Sequence, residues 1–135
     1  MSQLPAPRPL VTSANESFWN ATADGRLVLQ KCSSCDTVAW PIRRHCPTCW
    51  TETLVEFDAS GRGKVYSFTV VRKGRMDYKD ASPFVVAYVE LDEGPRVMTN
   101  IVECEPDEVA VDMPVEVVFH DTGHGQSLYR FRLVR

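Results

Sequence analysis

The chain has 135 residues, which is enough for one domain of ordinary size or two small ones. Hydrophobic residues make up 44% of it, which supports a folded core and argues against disorder. Its 15 basic and 18 acidic residues give a net charge of −3, whereas a dedicated binder of bulk nucleic acid is usually basic. No apolar run approaches the ~18 residues of a membrane span. Residues 1–8 lack the apolar core of a signal peptide. Together with the cysteine usage described below, these features predict a soluble cytoplasmic protein.

The first 25 residues predict an extended arm followed by a short helix. Three alternating prolines between residues 5 and 9 favour an extended lead-in. Ser13 is the predicted N-cap of a helix over residues 14–23, because Glu16 stands at the capping-box spacing. A helix this short must dock on something to be stable. Its two large aromatic residues, Phe18 and Trp19, are candidates for a partner contact, and packing on the chain's own barrel is the open alternative.

Two Cys-x-x-Cys pairs follow, Cys32 with Cys35 and Cys46 with Cys49, and ten residues separate them. Two such pairs facing each other place four thiolates at the corners of a tetrahedron, which suits zinc. Iron in a rubredoxin-like site is the chemical rival, and a disulfide or free thiols are the alternatives without metal. Because all four ligands are sulfur, no position is open for substrate, and the predicted metal is structural. Four cysteines in ligand spacing also fit a reducing compartment.

The ribbon that carries these cysteines is predicted to span residues 26–57. It is expected to have hardly any core besides the ion, so that removal of the metal should unfold it. Trp40, Arg43 and Arg44 lie between the two cysteine pairs. The arginines are candidates for contact with a phosphate or a partner, and Trp40 is expected either to pack over the ribbon or to dock on a partner.

From residue 58 onward the sequence consists of short runs rich in Val, Tyr, Phe, Thr and Ile. The predicted strands are Lys64–Arg72, Phe84–Leu91, Arg96–Val102, Val115–Asp121 and Leu128–Val134. The breaks between them carry Gly, Pro and Asp, and no long helical pattern occurs. Five strands in about 75 residues predict a closed or partly closed antiparallel barrel of the size of an OB-fold.

Three motifs, with the aromatic helix before them, carry a family resemblance. They are Trp40-Pro41-x-Arg43-x-x-Cys46-Pro47-x-Cys49, Gly61-x-Gly63-x-Val65-x-Ser67-x-Thr69 and Pro83-Phe84-x-Val86-Ala87-x-Val89-x-Leu91-x-Glu93-Gly94. From about residue 14 to its end, the chain resembles the acyl-CoA-associated zinc-ribbon/OB-fold proteins. The resemblance implies a mainly β protein: an N-terminal arm and helix (1–25), a rubredoxin-like zinc ribbon (26–57) and a five-stranded OB-fold barrel (58–135).

The resemblance also implies a function. Members of this family typically lack chemistry of their own. They form hetero-oligomers with thiolase-like enzymes, hydroxymethylglutaryl-CoA synthases, hydratases or aldolases, and they are thought to help hold or channel the CoA thioester. Some act with such partners on steroid side chains or aromatic acids. The resemblance therefore predicts an accessory subunit that is not an enzyme on its own.

Charge is unevenly spread along the predicted barrel. Residues 61–79 contain six basic residues and one acid, whereas residues 90–116 contain nine acids and one base. The basic segment could meet the phosphates of CoA or an acidic partner face. Its candidate contact residues are Arg62, Lys64, Arg72 and Lys73. The alternative is that the basic and acidic segments pair with each other or are solvated across the barrel.

Two other functions stay open. OB-folds and zinc ribbons elsewhere bind single-stranded nucleic acid, and Tyr66, Phe68 and Tyr78 could stack on bases, although the acidic balance counts against this. A stand-alone enzyme would have to use Cys104 or one of the three histidines. No nucleophile elbow, phosphate-binding loop or dinucleotide motif supports that interpretation.

Overall fold

The structure is a computed structural model that describes residues 4–135. The elements are α1 (Glu16–Ala23), β1 (Val28–Cys32), β2 (Val38–Ala39), β3 (Leu54–Asp58), β4 (Arg62–Val71), β5 (Phe84–Leu91), β6 (Arg96–Val102), β7 (Pro114–Asp121) and β8 (Ser127–Leu133). Single 3₁₀ turns lie at Met76–Tyr78 and Pro106–Glu108. The prediction of a mainly β chain with one short helix before the ribbon is confirmed. Within residues 4–135, no helix is both long enough and apolar enough to cross a membrane.

Helix α1 begins two residues later than the capping-box pattern indicates. Its N-cap is Asn15, so the prediction of Ser13 is wrong. The Asn15 side chain accepts a hydrogen bond from the Thr12 N–H (2.7 Å) and donates one to the Leu10 carbonyl (3.1 Å). Asparagine side chains readily bond to the backbone before them, and this bonding fixes the turn that leads into the helix.

The three ribbon strands form an antiparallel sheet in the order β2-β1-β3. Strand β1 is central, and Gln30 pairs with Ala39 on one side and with Glu56 on the other. The end of β1 near the barrel is buried: Val28 and Leu29 belong to the same apolar core as α1 and the barrel interior. The expectation that the ribbon has hardly any core besides its ion is therefore wrong for this part of β1.

The remaining five strands close into a barrel in the order β4-β5-β6-β8-β7, with β7 pairing back to β4. This confirms the predicted OB-fold barrel. One pair departs from the antiparallel expectation, because β6 and β8 run parallel where Ile101 lies beside Phe131. A bulge between Val65 and Ser67 bends β4. Gly63 also lies on β4, and a Cβ there would collide with the backbone oxygen of Glu90 on β5, so only glycine allows this close strand approach.

Candidate metal centre and its surroundings

The four predicted ligands lie together at the tip of the ribbon. The sulfur atoms of Cys32, Cys35, Cys46 and Cys49 are all within 4.8 Å of one another. The Cys32–Cys49 and Cys35–Cys46 sulfurs are each 3.6 Å apart. A tetrahedron with metal–sulfur bonds of about 2.3 Å has edges of about 3.8 Å, whereas a disulfide bond is about 2.05 Å long. The geometry therefore fits four thiolates around one ion, with no disulfide among them.

The two cysteine pairs adopt the same local fold. In each, the residue after the second cysteine donates its backbone N–H to the carbonyl of the first: Asp36 to Cys32 and Trp50 to Cys46, both at 2.9 Å. Asp36 and Trp50 accordingly have left-handed backbones, with φ of 64° and 65°. This turn brings both sulfurs of a pair to one side, and the sheet then holds the two pairs face to face.

Each sulfur also has a hydrogen-bond partner outside the cluster. These contacts are Cys32 with Thr53 Oγ1 (3.1 Å), Cys35 with Thr37 Oγ1 (3.1 Å), Cys49 with Thr51 Oγ1 (3.0 Å) and Cys46 with the Thr48 N–H (3.4 Å). The Thr53 hydroxyl lowers the pKa of Cys32 to about 5, although burial opposes it. The backbone N–H of Cys49 lowers the pKa of Cys46. Partners of this kind orient ligands, and at Cys32 and Cys46 they favour the thiolate, which is the form that binds metal.

The predicted aromatic contacts form a cluster where helix, ribbon and barrel meet. Phe18 is only 3% exposed, and its ring centroid lies 5.0 Å from that of Trp19, 4.8 Å from that of Trp40 and 5.8 Å from that of Tyr129. Phe18 is thus not available at the surface of this chain. Trp19 and Trp40 are half-buried in the same cluster. Burial raises the pKa of Tyr129 to about 12.

The two arginines between the cysteine pairs are exposed but engaged locally. The Arg43 guanidinium donates to the carbonyls of Pro41 (3.2 Å) and Trp40 (3.3 Å). Arg44 forms an ion pair of 2.8 Å with Glu52. Exposed pairs of this type contribute little to stability. Both guanidinium groups are therefore at the surface, held close to the ribbon.

The basic segment of the barrel divides into paired and unpaired residues. Lys64 lies 3.7 Å from Glu90 and 3.9 Å from Asp112, as expected if the acidic and basic segments pair across the barrel. The other candidates from this segment are exposed and form no ion pair within residues 4–135: Arg62, Arg72 and Lys73.

The three stacking candidates also occupy different surroundings. Tyr66 is 44% exposed, and the Arg96 guanidinium carbon lies 3.8 Å from its ring centroid. Phe68 is half-buried against the core. The Tyr78 hydroxyl accepts a hydrogen bond from Arg130 (3.2 Å). The structure therefore does not bring the three rings together on one open face.

Sequence reasoning missed two residues. Trp50 is 75% exposed, and its left-handed backbone is rare for a bulky side chain. Its position directly after the second cysteine pair was the available signal. Arg130 is only 1% exposed, although a strand alternation of charged and apolar residues normally places the charged residues in solvent. Nothing in the local sequence marks it as buried.

Two family models match consecutive parts of the chain. One is described as "ChsH2, rubredoxin-like zinc ribbon domain" and matches residues 19–55; the other, "ChsH2, C-terminal OB-fold domain", matches residues 56–120. A DUF35 domain-containing scaffold protein from Methanocaldococcus jannaschii is 42% identical over 94 residues, which are 69% of this chain and 67% of the relative. The chain belongs to the DUF35 family of ChsH2-type zinc-ribbon/OB-fold proteins. The resemblance inferred from the motifs is confirmed.

Other DUF35-related proteins carry the names of enzyme subunits. The benzoylsuccinyl-CoA thiolase subunit BbsA of Thauera aromatica is 30% identical over 138 residues, covering 96% of this chain and 94% of the relative. A probable enoyl-CoA hydratase alpha subunit of Thermomonospora curvata is 38% identical, but the match spans only 34% of that protein. A solved structure titled "Ltp2-ChsH2(DUF35) aldolase" contains a chain that is 34% identical, with a TM-score of 0.84 over 93% of this chain and 98% of that one.

Proposed function

We propose that this DUF35 chain is a non-catalytic accessory subunit that docks a thiolase-like, hydratase or aldolase enzyme and helps to hold its acyl-CoA thioester. The observation that carries the proposal is the close structural match, over nearly the whole of both chains, to the DUF35 chain in the aldolase structure. Two chains of the same shape and one-third identity can present similar surfaces to similar enzymes. The name of the Thauera relative favours a thioester of an aromatic acid.

The four-cysteine centre is proposed to hold zinc and to act structurally. Four sulfur ligands fill a tetrahedral site and leave no position for substrate. The ion would fix the two turns that end in Asp36 and Trp50, and these lie beyond the part of β1 that the apolar core secures. Metal analysis of protein purified without added metal should give about one zinc per chain and a colourless solution. A coloured protein with one iron per chain would instead establish the rubredoxin-like site.

Trp50 is the residue that we propose as a docking anchor. Its indole is 75% exposed, and the turn of the second cysteine pair, closed by the hydrogen bond from the Trp50 N–H to the Cys46 carbonyl, holds its backbone in the left-handed region. Tryptophan is enriched among the residues that dominate binding energies at protein interfaces. A partner that covers the indole would account for the exposure of so large an apolar side chain.

The test begins with affinity purification of the tagged chain from its native extract and mass spectrometry of what comes with it. The decisive step is reconstitution from the purified chain and the purified enzyme. Light scattering after gel filtration should show a fixed ratio, and the enzyme should turn over its acyl-CoA faster with the chain than without it. An enzyme that alone keeps full stability, activity and acyl-CoA affinity would refute the proposal.

The docking anchor has its own matched pair of variants. Trp50→Ala should weaken the reconstituted complex by about 30-fold, corresponding to the ~2 kcal/mol of a dominant interface residue. Tyr66→Ala removes another exposed aromatic ring, from the barrel, and should leave the affinity unchanged. Equal effects of the two substitutions would remove Trp50 from the interface.

A further inference from the structure

A cavity of about 280 Å³ opens on the barrel, beside the start of β5 and the end of β6. Apolar side chains from β5, β6 and the N-terminal arm form most of its wall, and His120 of β7 joins them. The residues used in the argument below are Leu4, Val85, Ile101, Glu103, Cys104 and His120. It is therefore an apolar cavity with a small number of polar groups, which is the usual composition of a small-molecule site.

Arg130 fixes the tautomer and the charge of the His120 imidazole in the cavity wall. Its guanidinium Nη1 lies 2.8 Å from His120 Nδ1. A guanidinium can only donate hydrogen bonds, so Nδ1 must accept, and the ring is neutral with its proton on Nε2. Burial lowers the pKa of His120, and the charge of Arg130 lowers it further, which keeps the ring neutral near pH 7. No hydrogen bond of Nε2 is found within residues 4–135, so this N–H is available to a ligand.

The charges around the cavity disfavour a ligand ion of either sign. Arg130 is buried, donates to the Pro5 carbonyl and to the Tyr78 hydroxyl, and has no carboxylate within 4 Å among the described residues. Its positive charge behind His120 opposes a cation. Glu103 lines the cavity, and its half-exposed carboxylate, which lies 3.7 Å from the Arg132 guanidinium, opposes an anion. A neutral hydrogen-bond acceptor meets neither penalty.

The Cys104 thiol in the cavity wall does not make the cavity a site of covalent attachment. Cys104 is 8% exposed, and burial raises the pKa of its thiol, with Glu108 adding to the effect. The thiolate is the reactive form of cysteine, so this thiol is a poor nucleophile at neutral pH. It contributes a small apolar surface to the wall, and binding here is non-covalent.

We propose that this cavity binds the acyl portion of a neutral carbonyl compound, with the carbonyl oxygen accepting a hydrogen bond from His120 Nε2–H. At roughly 30 Å³ per water-sized group, the cavity holds about nine non-hydrogen atoms, which is the size of a medium-length acyl chain or one aromatic ring. The inference deepens the proposed function and rests on it, because an acyl-CoA thioester supplies such a group. The buried Arg130 acts as a positioning residue that holds the imidazole in the donating tautomer.

The probe is 2-octanone, a neutral ketone whose size matches the cavity, added to the ¹⁵N-labelled full chain. Octanoate and octylammonium are the comparison ligands, because they have similar chains and opposite charges. We expect saturable amide shifts around Ile101, Cys104 and His120, with a Kd of about 1 mM for the ketone and values at least about tenfold higher for both ions. Tighter binding of octanoate, or shifts that lie away from the cavity, would overturn the inference.

Four substitutions test the hydrogen-bond donor separately from the overall fold. His120→Gln keeps an N–H donor near the position of Nε2 and should retain ketone binding, whereas His120→Leu should weaken it about tenfold. Cys104→Met fills the cavity without removing the donor and should abolish binding. Glu103→Gln should strengthen octanoate binding about threefold and leave ketone binding unchanged, which a purely structural role of Glu103 would not produce. Ketone binding that survives Cys104→Met would place the ligand elsewhere.

The outcomes also distinguish this inference from the proposed function. A chain that assembles with its partner enzyme but does not bind the ketone would refute the cavity site alone. A chain that binds the ketone at these residues but forms no enzyme complex would support the cavity site and count against the accessory-subunit proposal alone.

Discussion

Replacement of Phe18 by alanine should uncouple the helix and ribbon from the barrel. The Phe18 side chain is 97% buried and contacts aromatic rings from three parts of the chain: Trp19 on α1, Trp40 just after β2 and Tyr129 on β8. Tyr129 on β8 completes the cluster, because its ring also contacts those of Trp19 and Trp40. Truncation to alanine leaves a cavity where helix, ribbon and barrel meet. The barrel wall on one side is too rigid to collapse and fill it.

The size of the effect follows from that burial. Full burial of a phenylalanine contributes about 1.5–3 kcal/mol, and each edge-to-face ring pair adds about 0.5–1.5 kcal/mol. With the cavity term, buried Phe→Ala substitutions cost about 3–5 kcal/mol. For 135 residues the unfolding entropy is about 0.28 kcal/mol/K, so a loss of 3 kcal/mol lowers the Tm by about 10 °C.

The tryptophans provide a selective assay. All three, Trp19, Trp40 and Trp50, precede the barrel, so tryptophan fluorescence reports on the helix, the ribbon and their contact with Tyr129 of β8. Amide NMR signals of β5 and β6 report on the barrel in the same urea titration. In Phe18→Ala the fluorescence midpoint should fall well below the barrel midpoint, whereas the two should coincide in the unmodified chain. Val55→Ala, which truncates a 60% exposed ribbon residue, should change either midpoint by no more than about 0.5 kcal/mol.

A loss below about 1 kcal/mol in Phe18→Ala would refute the reasoning, because it would mean that the cluster does not join the modules. Coincident fluorescence and NMR transitions after a large loss of stability would also contradict it, since they would show that other contacts couple ribbon and barrel. Equal losses in Phe18→Ala and Val55→Ala would show that burial is not the cause.

Three further predictions concern the metal centre, the imidazole and the barrel closure. Cys49→Ser should lose the bound metal in elemental analysis and broaden the ribbon NMR signals while the barrel signals persist; a fully folded, metal-loaded variant would contradict this. Because burial and Arg130 lower the pKa of His120, the unfolded chain binds that proton more readily, so the free energy of unfolding should fall as pH drops below 6.5 and level off below the folded-state pKa. Urea titrations across this range should show that component missing in His120→Gln, and an identical pH slope in both proteins would be inconsistent with it. Gly63→Ala forces a methyl group against the Glu90 backbone and should cost about 1–3 kcal/mol in urea unfolding; a neutral result would show that β4 and β5 can separate freely.

The parts of the fold that are encoded by local pattern could be predicted from the sequence. The strands β5 and β6 have the bounds that their composition indicates, because Pro83 and Asp92 enclose the first run and Pro95 precedes the second. The four-cysteine cluster was equally predictable, since the ligand spacing within each pair leaves the backbone few possible conformations.

What could not be predicted depends on contacts between distant residues. The burial of Arg130 is produced by the arm, whose Pro5 carbonyl lies 125 positions earlier in the chain. Phe18 could equally have faced a partner, because its helix pattern is the same whether the cover is Tyr129 or another protein. The strained backbone at Trp50 follows from the hydrogen bond to Cys46, and a sequence window does not contain that geometry.

The contacts of strand β8 affect how the chain folds during its synthesis. Strand β8 pairs with both β6 and β7, packs Tyr129 against α1 and anchors the arm through Arg130. The ribbon strands can pair while residues up to 58 are leaving the ribosome, but Phe18 and the apolar end of β1 stay uncovered until β8 has been synthesised. Closing a loop of more than a hundred residues is entropically costly and slow. The nascent chain therefore carries an exposed aromatic surface from the synthesis of α1 until β8 emerges and covers it.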